Sequence, residues 1–141
     1  MKMVISVVLA AVVFCGNASA CEGGVEDWSR SFLAMRSVRG HFDGGAWTAS
    51  VDQWNGAKHQ AMQCLAQHAA AQATATAQLL QWMGSPDVRV RCPSEPCSAF
   101  APALQRPAEV WLYQWRGNHD RLGFAVVNGR VSRAQWFYVG E

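Results

Sequence analysis

The stretch EVWLYQWRGNHDRLGFAVVNGRVSRAQWFYV, residues 109–139, decides the fold. It consists of runs dense in Val, Trp, Tyr, Phe and Leu, separated by clusters of turn-forming residues. Aromatic and β-branched side chains suit a pleated, half-buried surface, so Glu109–Arg116, Leu122–Val127 and Val131–Val139 read as strands. Gly117-Asn118-His119-Asp120 supplies turn chemistry between the first two, with Asn118 and Asp120 expected to bond turn amides and His119 to sit beside Trp115. Asn128-Gly129 is a favoured two-residue hairpin turn, because both residues tolerate positive φ. Connections this short force neighbouring strands to run antiparallel.

Within the first strand, Trp111, Tyr113 and Trp115 share one face and Val110, Leu112 and Gln114 the other. A buried central strand would be this apolar on both sides. So would an aromatic patch left open for a protein partner, which Trp115-Arg116, Trp136 and Tyr138 could extend.

Working upstream, Val88, Val90 and Cys92 alternate with Asp87, Arg89 and Arg91, which predicts a further half-buried strand. Before Pro86 the period is that of helices. Val25, Trp28, Phe32 and Met35 fall on one face of a helix expected over 25–38, ended by Gly40 and Gly44-Gly45. Residues 47–54 are ambiguous. After Asn55-Gly56, Ala57 to about Ala70 reads as a helix with Met62, Leu65, Ala66 and Ala69 inward. A short helix, Ala77–Met83, follows, with Thr74 or Thr76 as its N-cap and Gly84 and Pro86 as its stop. Helices first and antiparallel strands after imply an α+β two-layer sandwich: N-terminal helices packed on a C-terminal sheet of about four strands. Seven tryptophans supply apolar area for such a core.

The first residues set the compartment. Lys2 precedes the apolar run Val4–Phe14, which is about half the roughly 20 residues needed to span a bilayer. Gly16-Asn17 break the run, and Ala18-Ser19-Ala20 offer small residues for cleavage before Cys21. This predicts a removable secretory signal of bacterial type over residues 1–20 and a single domain over 21–141, without a transmembrane helix. A cysteine directly after small residues is also what lipoprotein processing uses, so a lipid anchor at Cys21 is the alternative.

The expected domain holds Cys21, Cys64, Cys92 and Cys97, an even number in an oxidising compartment. Cys92-Pro-Ser-Glu-Pro-Cys97 is a short, stiff loop whose ends can meet, leaving Cys21 to pair with Cys64. Redox catalysis favours Cys-x-x-Cys and zinc sites favour paired knuckles; neither spacing is present. The 12 basic residues nearly balance the 10 acidic ones and do not cluster, which argues against nucleic acid as a partner. No metal or cofactor motif stands out.

Chemistry-bearing residues are few. Lys58-His59 opens a helix, and Trp115, Arg116, His119 and Asp120 lie where a strand ends. A His–Asp pair can orient a general base, but adjacent residues rarely bond each other productively, and no Ser or Cys nucleophile accompanies them.

Leu80-Gln-Trp-Met-Gly-Ser-Pro-Asp87, Trp111-Leu112-Tyr113, Leu122–Val127, Asn128–Val131 and Trp136 are similar to the SmpA/OmlA-type outer-membrane assembly lipoproteins. More distantly they resemble β-lactamase-inhibitor-protein repeats. Tyr113–Leu122 also looks like the Y-x-W-R-G-x-H-D-x-L segment of an uncharacterised exported family, whose companion G-x-K-H-x-x-M segment is here Gly56–Met62. These resemblances imply a two-layer α/β build and bring no catalytic residue. The Cys92–Cys97 loop and the long helical N-terminal part are this chain's own additions.

The expectation is therefore a periplasmic or secreted, non-enzymatic interaction module of the cell envelope that holds another envelope or secreted protein. The rival is a small-ligand-binding protein or enzyme built on Lys58, His59, Trp115, Arg116, His119 and Asp120.

Overall fold

Helix α1, Val25–Met35, follows the spacing of its apolar residues in a computed structural model that describes residues 21–100 and 106–140. The expected leader, residues 1–20, lies outside the described residues. Asp27 accepts the Gly24 N–H at 3.2 Å, which favours helix initiation. The helix stops at Met35 and does not run on to Val38. Arg36 instead turns away to donate to the carbonyls of Met83 and Ser85, tying this end to a later helix.

A 3-10 turn over His41–Asp43 and a single helical turn, α2 (Ala49–Asp52), resolve the ambiguous segment. Helix α3, Ala57–Ala71, buries Met62, Leu65, Ala66 and Ala69 as expected. Helix α4, Thr76–Met83, is capped differently from the expectation: its N-cap is Ala75 and no hydroxyl bonds the helix end. The β-hairpin backbone performs that task, since Thr76 N–H donates to the Gly129 carbonyl and Val131 N–H donates to that of Thr74. Gly84 ends α4 at φ +73°, its amide bonded to the Leu80 carbonyl.

The strands β1 (Val88–Arg91), β2 (Glu109–Trp115), β3 (Gly117–Val127) and β4 (Arg130–Tyr138) form one antiparallel sheet in chain order. Strand β3 starts before Leu122 because the preceding reversal is tighter than four residues. Gly117 at φ +53° lets His119 N–H reach the Arg116 carbonyl at 3.0 Å, and a Cβ there would strike the Asp43 carboxylate.

Both faces of β2 are buried. Trp111, Tyr113 and Trp115 join Phe32, Met62 and Leu65 in the main core under the helices. Val110 and Leu112 meet Cys97, Phe100 and Ala125 on the far side, where the cysteine loop covers the sheet. Expected burial fails at Val88, which is 41 % exposed because β1 is an edge strand with a neighbour on one side only.

Cys21–Cys64 and Cys92–Cys97 are disulfides, as the sequence implied. The first engages the same sulfur that a lipid thioether at Cys21 would need. Among the described residues no helix is long and apolar enough to cross a membrane.

Candidate functional site

The sequence-nominated residues meet at one end of the sandwich, where the start of α3 packs against the β2–β3 reversal and the end of β4. Lys58 and His59 reach it because Asn55, at φ +58°, and Gly56 turn the chain from α2 into α3. A side chain at residue 56 would collide with the Ala49 and Gln53 carbonyls, so glycine is required there.

Lys58 is buried, and its ammonium donates to the Trp115 carbonyl at 2.8 Å. Burial lowers its pKa, an effect partly offset by Asp43 and Asp87. The His59 ring, fully buried, stacks on the Trp115 indole with centroids 4.0 Å apart and planes 16° from parallel. Its Nδ1 accepts the Asn55 amide at 3.1 Å, which fixes the ring proton on Nε2. That N–H donates to the Tyr138 hydroxyl at 3.2 Å, and the Gln63 side-chain nitrogen, itself a donor, lies 3.1 Å away. Desolvation, reinforced by the Arg116 charge and opposed by Asp120, lowers the His59 pKa to about 4.

Trp115 donates its indole N–H to the Val51 carbonyl at 2.7 Å. Arg116 lies between two rings, its guanidinium 4.3 Å from the Trp115 centroid and 4.4 Å from that of Phe42. Two of its nitrogens contact Asp120 Oδ2 at 2.6 Å, and a third donates to the Asp52 carbonyl at 3.3 Å. Asp120, fully buried, also lies 3.0 Å from His119 Nδ1 and accepts the Val139 amide at 3.2 Å.

Two local expectations are thereby corrected. Asp120 takes the Val139 amide at the end of β4 and the side chains of Arg116 and His119, not a backbone amide of the turn, while Asn118 accepts from the Gln114 side chain at 2.8 Å. His119 and Asp120 do bond each other despite adjacency, and His119 packs on Phe42, at 4.7 Å between centroids.

All six nominated residues therefore come together, but as a packed network. Lys58, His59, Trp115, Arg116 and Asp120 are buried and spend their polar atoms on one another and on the backbone. Arg116 and Asp120 reach one wall of a cleft of about 380 Å³ that is otherwise formed by Trp54, Tyr138, Val139 and Gly140. Among the described residues no cluster of three His, Cys, Asp or Glu side chains could hold a metal ion.

Sequence reasoning missed Asp52 and Trp54. Asp52 Oδ2 accepts the amides of His41 (3.0 Å) and Thr48 (2.8 Å), folding the 40–52 loop over the cluster. Its carboxylate fills the place where a Cβ of residue 40 would stand. Nothing in the ambiguous 47–54 segment marked that role. Trp54, 51 % exposed, packs its ring 4.8 Å from His59 and 4.9 Å from Tyr138. Tyr138 stacks in turn on Trp136 at 5.3 Å, nearly parallel. The buried network thus carries an aromatic strip on its outer side: Trp54, Tyr138, Trp136 and, beside them, the exposed Val139.

Comparison of the chain with protein-family models, with curated proteins and with solved structures returns no match.

Proposed function

We propose that this chain is an exported, non-enzymatic protein-interaction module of the cell envelope, docking through the Trp54–Tyr138–Trp136 strip. The strip carries this reading. It is contiguous and partly exposed, with Trp54 51 %, Tyr138 42 % and Val139 57 % accessible. Large aromatics over a rigid base are the side chains that dominate protein-binding hot spots. Beneath them the polar cluster supplies rigidity, which lowers the entropic cost of binding. The apolar leader-like run and the two disulfides support export to an oxidising compartment.

A catalytic use of the cluster finds less support. His59 has both ring nitrogens engaged and a pKa near 4, and Lys58 is directed at a backbone carbonyl inside the fold.

The test is site-specific photo-crosslinking in the periplasm, with the reactive residue placed at Trp54, at Val139 or at the exposed control Gln81 on α4. A shared adduct from positions 54 and 139, absent from 81, is expected. Adducts equal at all three positions, or none at 54 and 139, sink the proposal.

A further inference from the structure

Strand β4 leaves half of its outer edge open. Antiparallel pairs alternate between residues that bond across the ladder and residues whose amide and carbonyl point outward. The two-residue turn closes the hairpin on the Val127–Arg130 pair, so Val131 faces outward, and its amide is taken by Thr74. An irregularity at Ala125/Val126 then resets the phase. Val139 N–H donates to the His119 carbonyl at 3.2 Å, which places Phe137 and Gln135 in the inward-bonding set. Ala134, Trp136 and Tyr138 therefore turn their N–H and C=O groups outward, and no described residue bonds them.

Alongside lies a groove of about 380 Å³ between α3 and β4. Its walls are Ala66 and Ala70 with Gln63 and Gln67 from the helix, and Ala134 and Trp136 from the strand, with Leu122 between them. An incoming strand could bond β4 and lower alternate side chains into this space, the geometry by which extended peptides add to sheet edges.

Charge selects the occupant. Residues 57–71 and 121–140 contain no Asp or Glu, whereas Arg121, Arg130 and Arg133 lie on β3 and β4. Arg130 and Arg133 are exposed. A second copy paired edge to edge would bring these arginines to one seam with no carboxylate from either strand; an acidic segment would neutralise them.

We infer that the Ala134–Tyr138 edge, with the α3–β4 groove, takes an extended acidic segment of a partner protein as a fifth strand. Small apolar residues of that segment enter the groove, and its carboxylates lie on the arginine face. This inference rests on the interaction-module reading and specifies its binding mode.

The probe is the capped octapeptide Glu-Val-Glu-Ala-Glu-Val-Glu-Ala, titrated into the 15N-labelled, disulfide-bonded protein. The largest amide shifts are expected at Ala134, Trp136 and Tyr138. N-methylation of the peptide residues that donate to β4 should weaken binding at least about tenfold, and methylation of the intervening residues should not. The lysine counterpart should bind at least about tenfold more weakly. Ala134→Pro, which removes an outward amide and no ladder bond, should abolish the shifts while the near-ultraviolet circular dichroism is retained. Should that variant misfold, the methylated peptides decide alone.

Absence of shifts at these amides, equal loss from both methylation patterns or equal binding of the lysine peptide overturns the inference. So does a β4-mediated dimer in sedimentation that excludes the peptide. If position 54 still yields its crosslinked adduct in any of these cases, the module reading stands and only strand addition fails. If both fail, the module reading falls as well.

Discussion

The two outer edges of the sheet are built oppositely. Strand β1 is four residues long, carries exposed Arg89 and Arg91, and runs directly into the Cys92–Cys97 disulfide loop. The Arg89 guanidinium sits 4.3 Å from the Trp111 ring centroid. Short length, charge and a covalently closed exit are what keep an edge from pairing with another chain. Strand β4 is nine residues long, and only its first residues are covered, by the Thr74–Thr76 segment. From Ala134 to Tyr138 it has no charge and no proline, and two of its aromatics belong to the strip shared with Trp54. One edge is closed by its composition. The other is left available above a rigid foundation.

The strongest perturbation of this contrast should come from that foundation. Trp115→Ala removes the ring on which His59 rests and which contacts Trp136 and Tyr138. We expect a loss of about 3–5 kcal/mol in urea denaturation, and hydrogen exchange that rises earlier along the end of β4 than in β1. Equal acceleration at both edges would show that the ring supports the whole sheet and not β4 in particular.

Acid should act on the same side. His59 has a folded pKa of about 4 against an ordinary value of 6.5, so between these values the unfolded chain binds the extra proton. The stabilisation is fully present above about pH 6.5 and lost as pH falls toward 4, by about 2–3 kcal/mol. Denaturation midpoints across that range provide the check. His59→Phe should flatten this part of the pH profile, and an unchanged profile would contradict the assignment.

Opening the small disulfide attacks the other edge. The Cys92→Ala, Cys97→Ala double substitution should cost about 2 kcal/mol, from the short loop it releases. It should raise exchange in β1 and leave the Gln135 and Phe137 amides, which bond β3, unaffected.

Arg89→Thr with Arg91→Thr should change stability by no more than about 0.5 kcal/mol. Because these charges guard β1, the same pair of substitutions should promote concentration-dependent association in sedimentation velocity.

Tyr138→Phe is expected to have a comparably small effect, about 0.5 kcal/mol, because it deletes one hydroxyl contact with His59 and keeps the stacked ring. Partner crosslinking from position 54 should survive it.

Much of this architecture is legible along the chain. Alternation in residues 109–139, the Asn128-Gly129 turn, the α3 stripe and the Gly84 stop are local features, written in neighbouring residues, and they folded as read. The cysteine pairing was legible too, by spacing and elimination. The cap of α4 was not, because the groups that satisfy it come from a hairpin more than fifty residues away. Nor was the start of β3, which depends on Gly117 fitting against Asp43.

The candidate site divides in the same way. Sequence marked Lys58, His59, Trp115, Arg116, His119 and Asp120 as neighbours in two short motifs, and these motifs do meet. It could not say that they would be buried and mutually satisfied, nor that Trp54 would cover them.

By itself, then, the sequence determined the order of elements, the α+β class and the disulfide framework, since periodicity, turn chemistry and cysteine spacing act over a few residues or a single bond. Only the tertiary structure decided that the polar cluster is a foundation and that β4, not β1, presents a long uncharged edge beside a groove. Burial and edge exposure are set by contacts across long separations, such as Lys58 with Trp115, 57 residues apart, and no local pattern encodes them.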